Sequence, residues 1–332
     1  MRLNLFTSNS KTKHLRQALL FVALFALLAF GFGKMLEAMY NQNIKSTDFY
    51  PYQRYAEYNT LPEDSIDLVF IGSSHAYRSF DAEQFEKALN TRAFNMGSSA
   101  QMLDTSYYIL EDILLHHSPS TVVLEVNFVT LKNDHYINQN LYSYDYMRPS
   151  NVKDTFWKDV FTFKDKAIYS FKILRYRKHL ITWLTNVTKS DKTPSSDYYK
   201  GKGFVYSEAE VSEDYLVHSN LLHGYDYQGA SKVQMAYLAK IIDVCEKNDI
   251  NLVLVTTPFP KYSLSLADNY SLFTQEMNEI SAAYDIPYID YNLSEDIIFD
   301  DSLFADSDHL NGKGAEKLGA LLISYLQSLS YY

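Results

Sequence analysis

The chain has 332 residues, 47% hydrophobic and 21% charged, which is the balance of a folded globular protein rather than a disordered one. Its formal net charge of −10 argues against a nucleic-acid-binding protein, because binding to phosphates normally needs a basic face. The single cysteine, Cys245, excludes an internal disulfide.

An uncharged apolar stretch runs from Ala18 to Gly33. With its flanks it is long enough to cross a bilayer, which takes about twenty residues. Basic residues precede it, which favours a cytoplasmic N-terminus and an external remainder. A cleaved signal peptide is the alternative, although no small-x-small cleavage site follows the stretch. We expect a cytoplasmic tail over residues 1–17 and a transmembrane signal anchor over 18–36.

Residues 37–64 are rich in Tyr, Asn and Gln and predict a stalk that leads into a domain beginning at residue 65. Strands and helices then alternate. Apolar runs predict strands over 66–71, 92–96 and 121–126, and periodic apolar residues predict helices over 81–89 and 104–116. The first helix has Asp81 or Ser79 as its cap.

This pattern lapses over residues 128–230, where only one helix is indicated, at about 166–184. It resumes with helices over 231–247, 272–284 and 312–329 and strands over 251–257 and 287–290. Strands separated by helices predict a parallel sheet with right-handed crossovers. We therefore expect one α/β domain over 65–332 that is interrupted by an insertion over 128–230.

Three residues follow the C-terminal ends of predicted strands, where open α/β sheets bind their ligands. They are Ser74, Gly97 and Asn127. Ser74 lies in the sequence Ile71-Gly72-Ser73-Ser74-His75, in which Gly72 permits a tight strand-to-helix turn that exposes the serine hydroxyl. An ordinary turn, with a serine bonded to backbone, is the structural alternative.

Asp306 and His309 lie three positions apart near the C-terminus. In a loop, the carboxylate would accept from one ring nitrogen while the other nitrogen faces the serine, which is the arrangement that activates a serine nucleophile. Asp308 is the second choice, since it is adjacent to His309 and is expected to point away. His75 is a weak candidate, because sequence neighbours rarely face each other.

A leading serine with a final Asp-x-x-His, around a glycine and an asparagine, resembles the SGNH (GDSL-type) hydrolase family. The resemblance covers roughly residues 65–130 and 230–330 and implies a three-layer, flavodoxin-like parallel sheet. It implies a nucleophile at Ser74, with Asp306 and His309 as acid and base. It also implies an oxyanion hole formed by the backbone N–H groups of Ser74 and Gly97 and the side-chain amide of Asn127.

Two positions depart from the family pattern. Ser73 replaces the usual aspartate, as in the membrane-anchored D-alanyl-transfer (DltD-like) and polysaccharide-acetylation branches, which this chain resembles in layout. Glu125 and Phe128 replace the usual glycine and aspartate around Asn127.

These features together predict an outward-facing serine esterase or O-acyltransferase, held in a bacterial cell membrane by one helix. We expect it to act on acetyl- or D-alanyl-type groups of an envelope polysaccharide or teichoic-acid-like polymer, without a metal or organic cofactor. One alternative is a non-catalytic partner of a membrane-bound O-acyltransferase. Another, a glycan-binding surface protein, rests on the tyrosines of the insertion, for which packing against the sheet is the structural alternative.

Overall fold

The computed structural model describes residues 7–45, 50–177, 196–294 and 297–332. The chain divides into two compact units. The first comprises Met1–Thr47 and Phe161–Thr193, and the second comprises Asp48–Val160 and Pro194–Tyr332.

The strands in the described part of the chain belong to the second unit. They are β1 (Leu68–Ile71), β2 (Ala93–Asn95), β3 (Thr121–Glu125), β4 (Asp197–Gly201), β5 (Phe204–Ser207), β6 (Tyr225–Asp226), β7 (Asn251–Thr256), β8 (Ala267–Asp268) and β9 (Tyr288–Asp290).

The helices fall into two groups. The first unit contains α1 (Thr7–Lys45), α9 (Phe163–Tyr169) and α10 (172–177). The second unit contains α2 (Tyr50–Tyr58), α3 (Ser74–Ser79), α4 (Ala82–Leu89), α5 (Leu103–Leu114), α6 (Phe128–Leu131), α7 (Ile137–Tyr146), α8 (Asn151–Val160), α11 (Glu213–His218), α12 (Lys232–Lys247), α13 (Lys261–Ser265), α14 (Tyr270–Tyr284) and α15 (Gly312–Ser328).

A five-stranded sheet with the order β2-β1-β3-β7-β9 forms the centre of the second unit. Every neighbouring pair is parallel. This is the flavodoxin-like order, in which β1 and β3 mark the point where the chain changes direction across the sheet. The predicted α/β class with a parallel sheet is confirmed, and the three innermost strands are buried along nearly their whole length, as parallel strands usually are.

Alternate residues of the strands point to opposite faces of the sheet. One face packs against α4 and α15 in a cluster that includes Phe70, Val123, Val253, Phe85 and Leu318, each fully buried. On the other side of the unit, α5 packs against α12 and α8. Helices on both faces give the three layers that the resemblance implies.

Two predictions about the connecting segments differ from the structure. Part of the expected stalk forms α2, which buries Arg54, Tyr55 and Tyr58. The insertion contains several helices of four to ten residues and the antiparallel hairpin β4-β5, where one helix was predicted. Such short, tyrosine-rich elements do not give a clear helical or strand period. The helix expected over 166–184 breaks between α9 and α10, and residues 178–184 lie outside the described part of the chain.

The N-terminal helix α1 carries the apolar stretch. Over Thr12–Gln42 it is long and apolar enough to cross a membrane, and most of its side chains there are exposed in the protein. A signal sequence near the N-terminus would have the same properties. The predicted anchor is thus one helix with the length and composition of a span, and its topology stays a prediction.

The core of the second unit predicts that alanine substitution at two helical leucines will differ sharply in its effect on the free energy of unfolding. Leu318 on α15 is 0% exposed, whereas Leu272 on α14 is 37% exposed. Leu318→Ala should lower the free energy of unfolding by about 2–5 kcal/mol because it leaves a cavity, and Leu272→Ala should lower it by far less. Urea unfolding of the full chain in mild detergent measures both, and equal losses would contradict the assignment of the core.

Candidate active site

The serine turn lies where β1 meets α3. Gly72 has a φ of 152°, and a Cβ added there would lie 2.6 Å from the Cβ of Glu125. Ser73 is the N-cap of α3, and its hydroxyl accepts the N–H of His75 at 3.2 Å. Ser74 is therefore the first residue of a helix, where backbone N–H groups lack intrahelical partners. Among the described residues, the Ser74 N–H has no hydrogen-bond acceptor.

A buried carboxylate fixes this turn from the neighbouring strand. Glu125 ends β3, is 3% exposed, and accepts the backbone N–H of Ser73 through Oε2 at 2.6 Å. Glu125 and Gly72 fit together, since any side chain at residue 72 would occupy the space of Glu125. The departure from the family pattern at residue 125 thus has a structural role beside the serine.

The loop that carries the acid and the base is held at its two ends. Phe304 and Leu310 form an antiparallel bridge, and the N–H of Ala305 donates to the carbonyl of His309 at 2.8 Å. Asn311 caps α15 with Oδ1, while its Nδ2 donates to the carbonyl of Ser302 at 2.8 Å. The same side chain therefore caps α15 and anchors the loop.

The structure brings Ser74, His309 and Asp306 together. Ser74 Oγ lies 2.7 Å from His309 Nε2, and His309 Nδ1 lies 2.9 and 3.0 Å from the two carboxylate oxygens of Asp306. Because the ionised Asp306 can only accept, Nδ1 carries the ring proton, and Nε2 is left to accept the proton of the Ser74 hydroxyl. This is the geometry of a serine nucleophile, a general base and an orienting acid.

The charges around His309 favour its protonated form. Burial opposes protonation, but the carboxylates of Asp308 and Asp306 outweigh burial and raise the pKa of the imidazole above its ordinary value. Burial also opposes ionisation of Asp306, yet its hydrogen bonds with His309 hold the pKa of that carboxyl well below its usual range. The backbone N–H groups of Asp308 and His309 donate to the same carboxylate at 3.1 and 2.8 Å.

His75 and Asp308 also lie beside His309, although Asp308 was expected to point away from it. The ring of His75 stacks on that of His309 with centroids 4.8 Å apart, and its Nε2 lies 3.4 Å from Asp308 Oδ2. Asp308 Oδ1 is 3.3 Å from His309 Nδ1, so Asp308 points toward the base rather than away from it. Both side chains come to His309 because the turn and the loop face each other, which spacing along the chain does not reveal.

The predicted oxyanion donors differ in their availability. The N–H of Gly97 donates to Asn95 Oδ1 at 2.9 Å, so a substrate oxygen at Gly97 has to share or replace that bond. Asn95 also donates from Nδ2 to the carbonyls of Ala76 and Phe80, each at 2.9 Å, which ties the end of β2 to α3. Asn95 is thus a positioning residue that the sequence pattern did not indicate.

Asn127 lies at the end of β3 as predicted and is 1% exposed. Its Oδ1 accepts the N–H of Val129 at 2.7 Å and caps α6. Within the described part of the chain, Nδ2 of Asn127 donates to no other group. The cap orients the amide and leaves its donor end available for a substrate oxygen.

The buried helix α2 supports the site from behind. Arg54 is 0% exposed and donates from Nη1 to the carbonyl of Met96 at 2.7 Å and to that of Gly97. Tyr50 also donates to the carbonyl of Gly97, and its ring lies 4.3 Å from that of Tyr77 on α3. Residues that were expected to form a stalk thus hold the backbone at Gly97 in place.

The insertion contacts the site at several points, and one of them is an ion pair on α3. Arg78, on the turn of α3 that follows Ser74, pairs with Asp197 on β4. Several insertion tyrosines instead pack within the protein: Tyr227 is 0% exposed and donates to Glu276 at 2.6 Å, and Tyr225 donates to the carbonyl of Phe128 at 2.7 Å. These two follow the structural alternative rather than a role in stacking on sugars.

One group of potential metal ligands lies in the described residues. Donor atoms of His75, Asp308 and His309 lie within 4.8 Å of one another. Both ring nitrogens of His309 already contact Asp306 and Ser74. A metal bound there would compete with these contacts, so the donor set suits proton transfer better than metal binding.

Comparison with protein-family models and with curated proteins gives no match. Among solved structures, the chain is similar to a GDSL-like lipase from Bacteroides thetaiotaomicron (13% identity, TM-score 0.40, covering 85% of this chain and 99% of that one). It is also similar to a lipase/acylhydrolase from Enterococcus faecalis (12%, 0.37, 79% and 96%) and to the psychrotrophic esterase EstA from Pseudoalteromonas sp. (9%, 0.36, 80% and 100%). At these identities and TM-scores, the chemistry has to be inferred from the side chains.

The serine turn should depend on the acceptor at residue 125. Glu125→Ala leaves the buried N–H of Ser73 without a partner, which should cost about 1–3 kcal/mol in the free energy of unfolding. Glu125→Gln keeps an acceptor oxygen of nearly the same shape and should lose much less. Denaturant unfolding compares the two variants, and an alanine variant as stable as the glutamine variant would contradict this role.

The pKa of His309 should determine the acid limb of the pH–rate profile for any reaction at Ser74. Because the base must be neutral and its pKa is raised, the rate should fall as the pH drops through a value above 6.5. Asp308→Asn removes a negative charge that favours the imidazolium, so it should move this limb to lower pH. The pH dependence of inactivation by a serine-directed phosphonate measures the shift, with Asp243→Asn on the surface of α12 as the control. A limb that stays in place or moves to higher pH would refute the assignment.

Proposed function

We propose that the protein is a serine esterase or O-acyltransferase that uses Ser74 as its nucleophile. The observation that carries the proposal is the 2.7 Å contact of Ser74 Oγ with His309 Nε2, with Asp306 bound to the opposite nitrogen. A serine hydroxyl becomes a useful nucleophile when such a base takes its proton.

In the first half of the reaction, Ser74 Oγ attacks the acyl carbonyl carbon as its proton passes to His309 Nε2. The tetrahedral oxyanion lies near the N–H of Ser74 and the amide of Asn127, with Gly97 joining if its bond to Asn95 is shared. His309 then gives the proton to the departing alcohol oxygen, and the acyl group stays on Ser74. Asp306 keeps the ring oriented and stabilises the imidazolium.

In the second half, His309 takes a proton from water or from a sugar hydroxyl, whose oxygen attacks the acyl-serine carbonyl. The collapse of the second tetrahedral intermediate returns that proton to Ser74 Oγ. Water as the acceptor gives a free acid, and a hydroxyl gives a new ester. No step requires a metal or an organic cofactor, because the protein groups supply every proton transfer.

The proposed substrate is an acylated polysaccharide or teichoic-acid-like polymer of a bacterial envelope, with acetyl or D-alanyl groups. The apolar helix α1 supports this location, because an anchored enzyme would meet polymers outside the membrane. The rings of Tyr50 and Tyr77, which contact each other at a tilt and are half-buried, offer aromatic surface of the kind that sugars contact. A membrane-bound O-acyltransferase is a proposed partner that would supply the acyl group.

One observation favours a second candidate, a non-catalytic partner of such a transferase. It is the bond from the Gly97 N–H to Asn95, which occupies an expected oxyanion donor. In that case Ser74→Ala and His309→Ala would leave envelope acylation unchanged, while loss of the whole chain would abolish it.

Labelling with a fluorescent phosphonate tests the proposed nucleophile. The wild-type protein should be labelled, Ser74→Ala should lose essentially all labelling, and His309→Ala should be labelled at least 100-fold more slowly because the base is gone. Ser73→Ala is the matched control, since Ser73 caps α3 with its hydroxyl but does not contact His309. Labelling of Ser74→Ala at the wild-type rate would overturn the proposal.

A further inference from the structure

The first unit contains a close contact between α1 and α10. A Cβ built on Gly33 would lie 3.0 Å from the Cβ of Lys172, so the absence of a side chain at Gly33 lets the backbones approach. Further along, the rings of Tyr40 and Tyr176 lie 5.0 Å apart, and Lys172 pairs with Glu37. Part of the insertion therefore packs on the outer end of the helix proposed to span the membrane.

Next to this contact is an apolar groove of about 670 Å³. Its two walls are one side of α1 and the start of α10 with the residues before it, and the lining consists of Phe25, Ala26, Ala29, Phe30 and Gly33 on one side and residues 170–174 on the other. Phe171 and Leu174, on the second wall, are 65% and 40% exposed. The groove thus has an apolar lining that water would not favour.

The position of the groove along α1 places it within a bilayer. Lys34 is the first charged residue after the uncharged stretch, and the groove extends back from Gly33 to Phe25. At 1.5 Å per helical residue, this is roughly 12 Å of depth beneath the level of Lys34. With the N-terminus cytoplasmic, that layer is the outer half of the hydrocarbon core, where the surrounding medium is lipid acyl chain.

The segment that forms the second wall is basic, although the chain as a whole has a net charge of −10. Over residues 161–177 it has one acidic residue and five basic ones, which are Lys164, Lys166, Lys172, Arg175 and Arg177. Lys164 and Arg177 are exposed, and so is Phe163, at 87%. Exposed aromatic and basic side chains together are typical of segments that lie at a membrane surface and attract anionic headgroups.

We propose that the groove between α1 and α10 binds an anionic phospholipid of the outer leaflet. One acyl chain lies along Phe25, Ala29 and Gly33, and the phosphate lies near the basic residues of 161–177. An anionic lipid is favoured over a zwitterionic one by the charge of this segment. It is favoured over a protein helix by the exposed basic and aromatic residues that flank residues 170–174 in the sequence. The proposal rests on the proposed membrane anchor but not on the chemistry of Ser74.

Native mass spectrometry of the full chain tests this binding. The protein is reconstituted into vesicles of equal phosphatidylglycerol and phosphatidylcholine, extracted in mild detergent, and the retained lipids are counted. The wild type should retain phosphatidylglycerol in preference to phosphatidylcholine. Ala29→Trp, which fills the groove, should reduce the retained lipid at least fivefold, whereas Ala23→Trp, on the same helix but outside the groove lining, should not.

A second pair of variants tests the headgroup. Lys164→Glu with Arg177→Glu should remove the preference for phosphatidylglycerol while keeping the acyl-chain site, so that the two lipids are retained about equally. Equal retention of both lipids by the wild type, or equal retention by Ala29→Trp and Ala23→Trp, would overturn the proposal. The proposal would also be overturned if the wild type had the mass of a dimer and Ala29→Trp had the mass of a monomer, because a second copy of the chain would then occupy the groove.

Phosphonate labelling of Ser74 in the same samples separates this result from the proposed activity. Loss of bound lipid with unchanged labelling of Ser74 supports the lipid site and leaves the enzyme assignment intact. Absence of labelling in the wild type would refute the nucleophile and would not alter the lipid count.

Discussion

The hydrogen bond from the Ser73 N–H to the buried carboxylate of Glu125 joins the C-terminal ends of β1 and β3, where the candidate site lies. It requires a glycine at residue 72, because a side chain there would collide with Glu125. With this turn fixed, Ser74 begins α3 and faces the loop of His309. The order of the sheet makes this arrangement available, since β1 and β3 are neighbours at its centre.

The electrostatics of the site depend on two carboxylates rather than one. Asp306 accepts the ring proton of His309 and two backbone N–H groups. Asp308 contacts a ring nitrogen of each histidine and adds negative charge near the base. Since both carboxylates stabilise the imidazolium, the base is stronger than an ordinary histidine, and His75 limits how the ring of His309 can rotate. Such a base suits the abstraction of a proton from a serine hydroxyl.

The segments outside the sheet serve two different surroundings. In the second unit, α2 supports the backbone at Met96 and Gly97 through Arg54. The hairpin β4-β5 supports α3 through the ion pair of Asp197 with Arg78. In the first unit, α10 packs on the apolar helix and carries basic and aromatic residues of the kind found at a membrane surface. The insertion that interrupts the α/β domain therefore contributes to both units.

The sequence by itself determined the parallel α/β architecture, the apolar N-terminal helix and the positions of Ser74, Asp306 and His309, because buried strands and turns leave local patterns of apolar and small residues. Only the tertiary structure decided that Glu125 holds the serine turn, that Asp308 and His75 face His309, and that Gly97 donates to Asn95. It also decided that the expected stalk supplies a buried arginine and that the insertion packs on α1. These contacts join residues that are far apart in the chain. Their geometry depends on how strands and loops pack, and the local pattern of apolar residues does not contain that information.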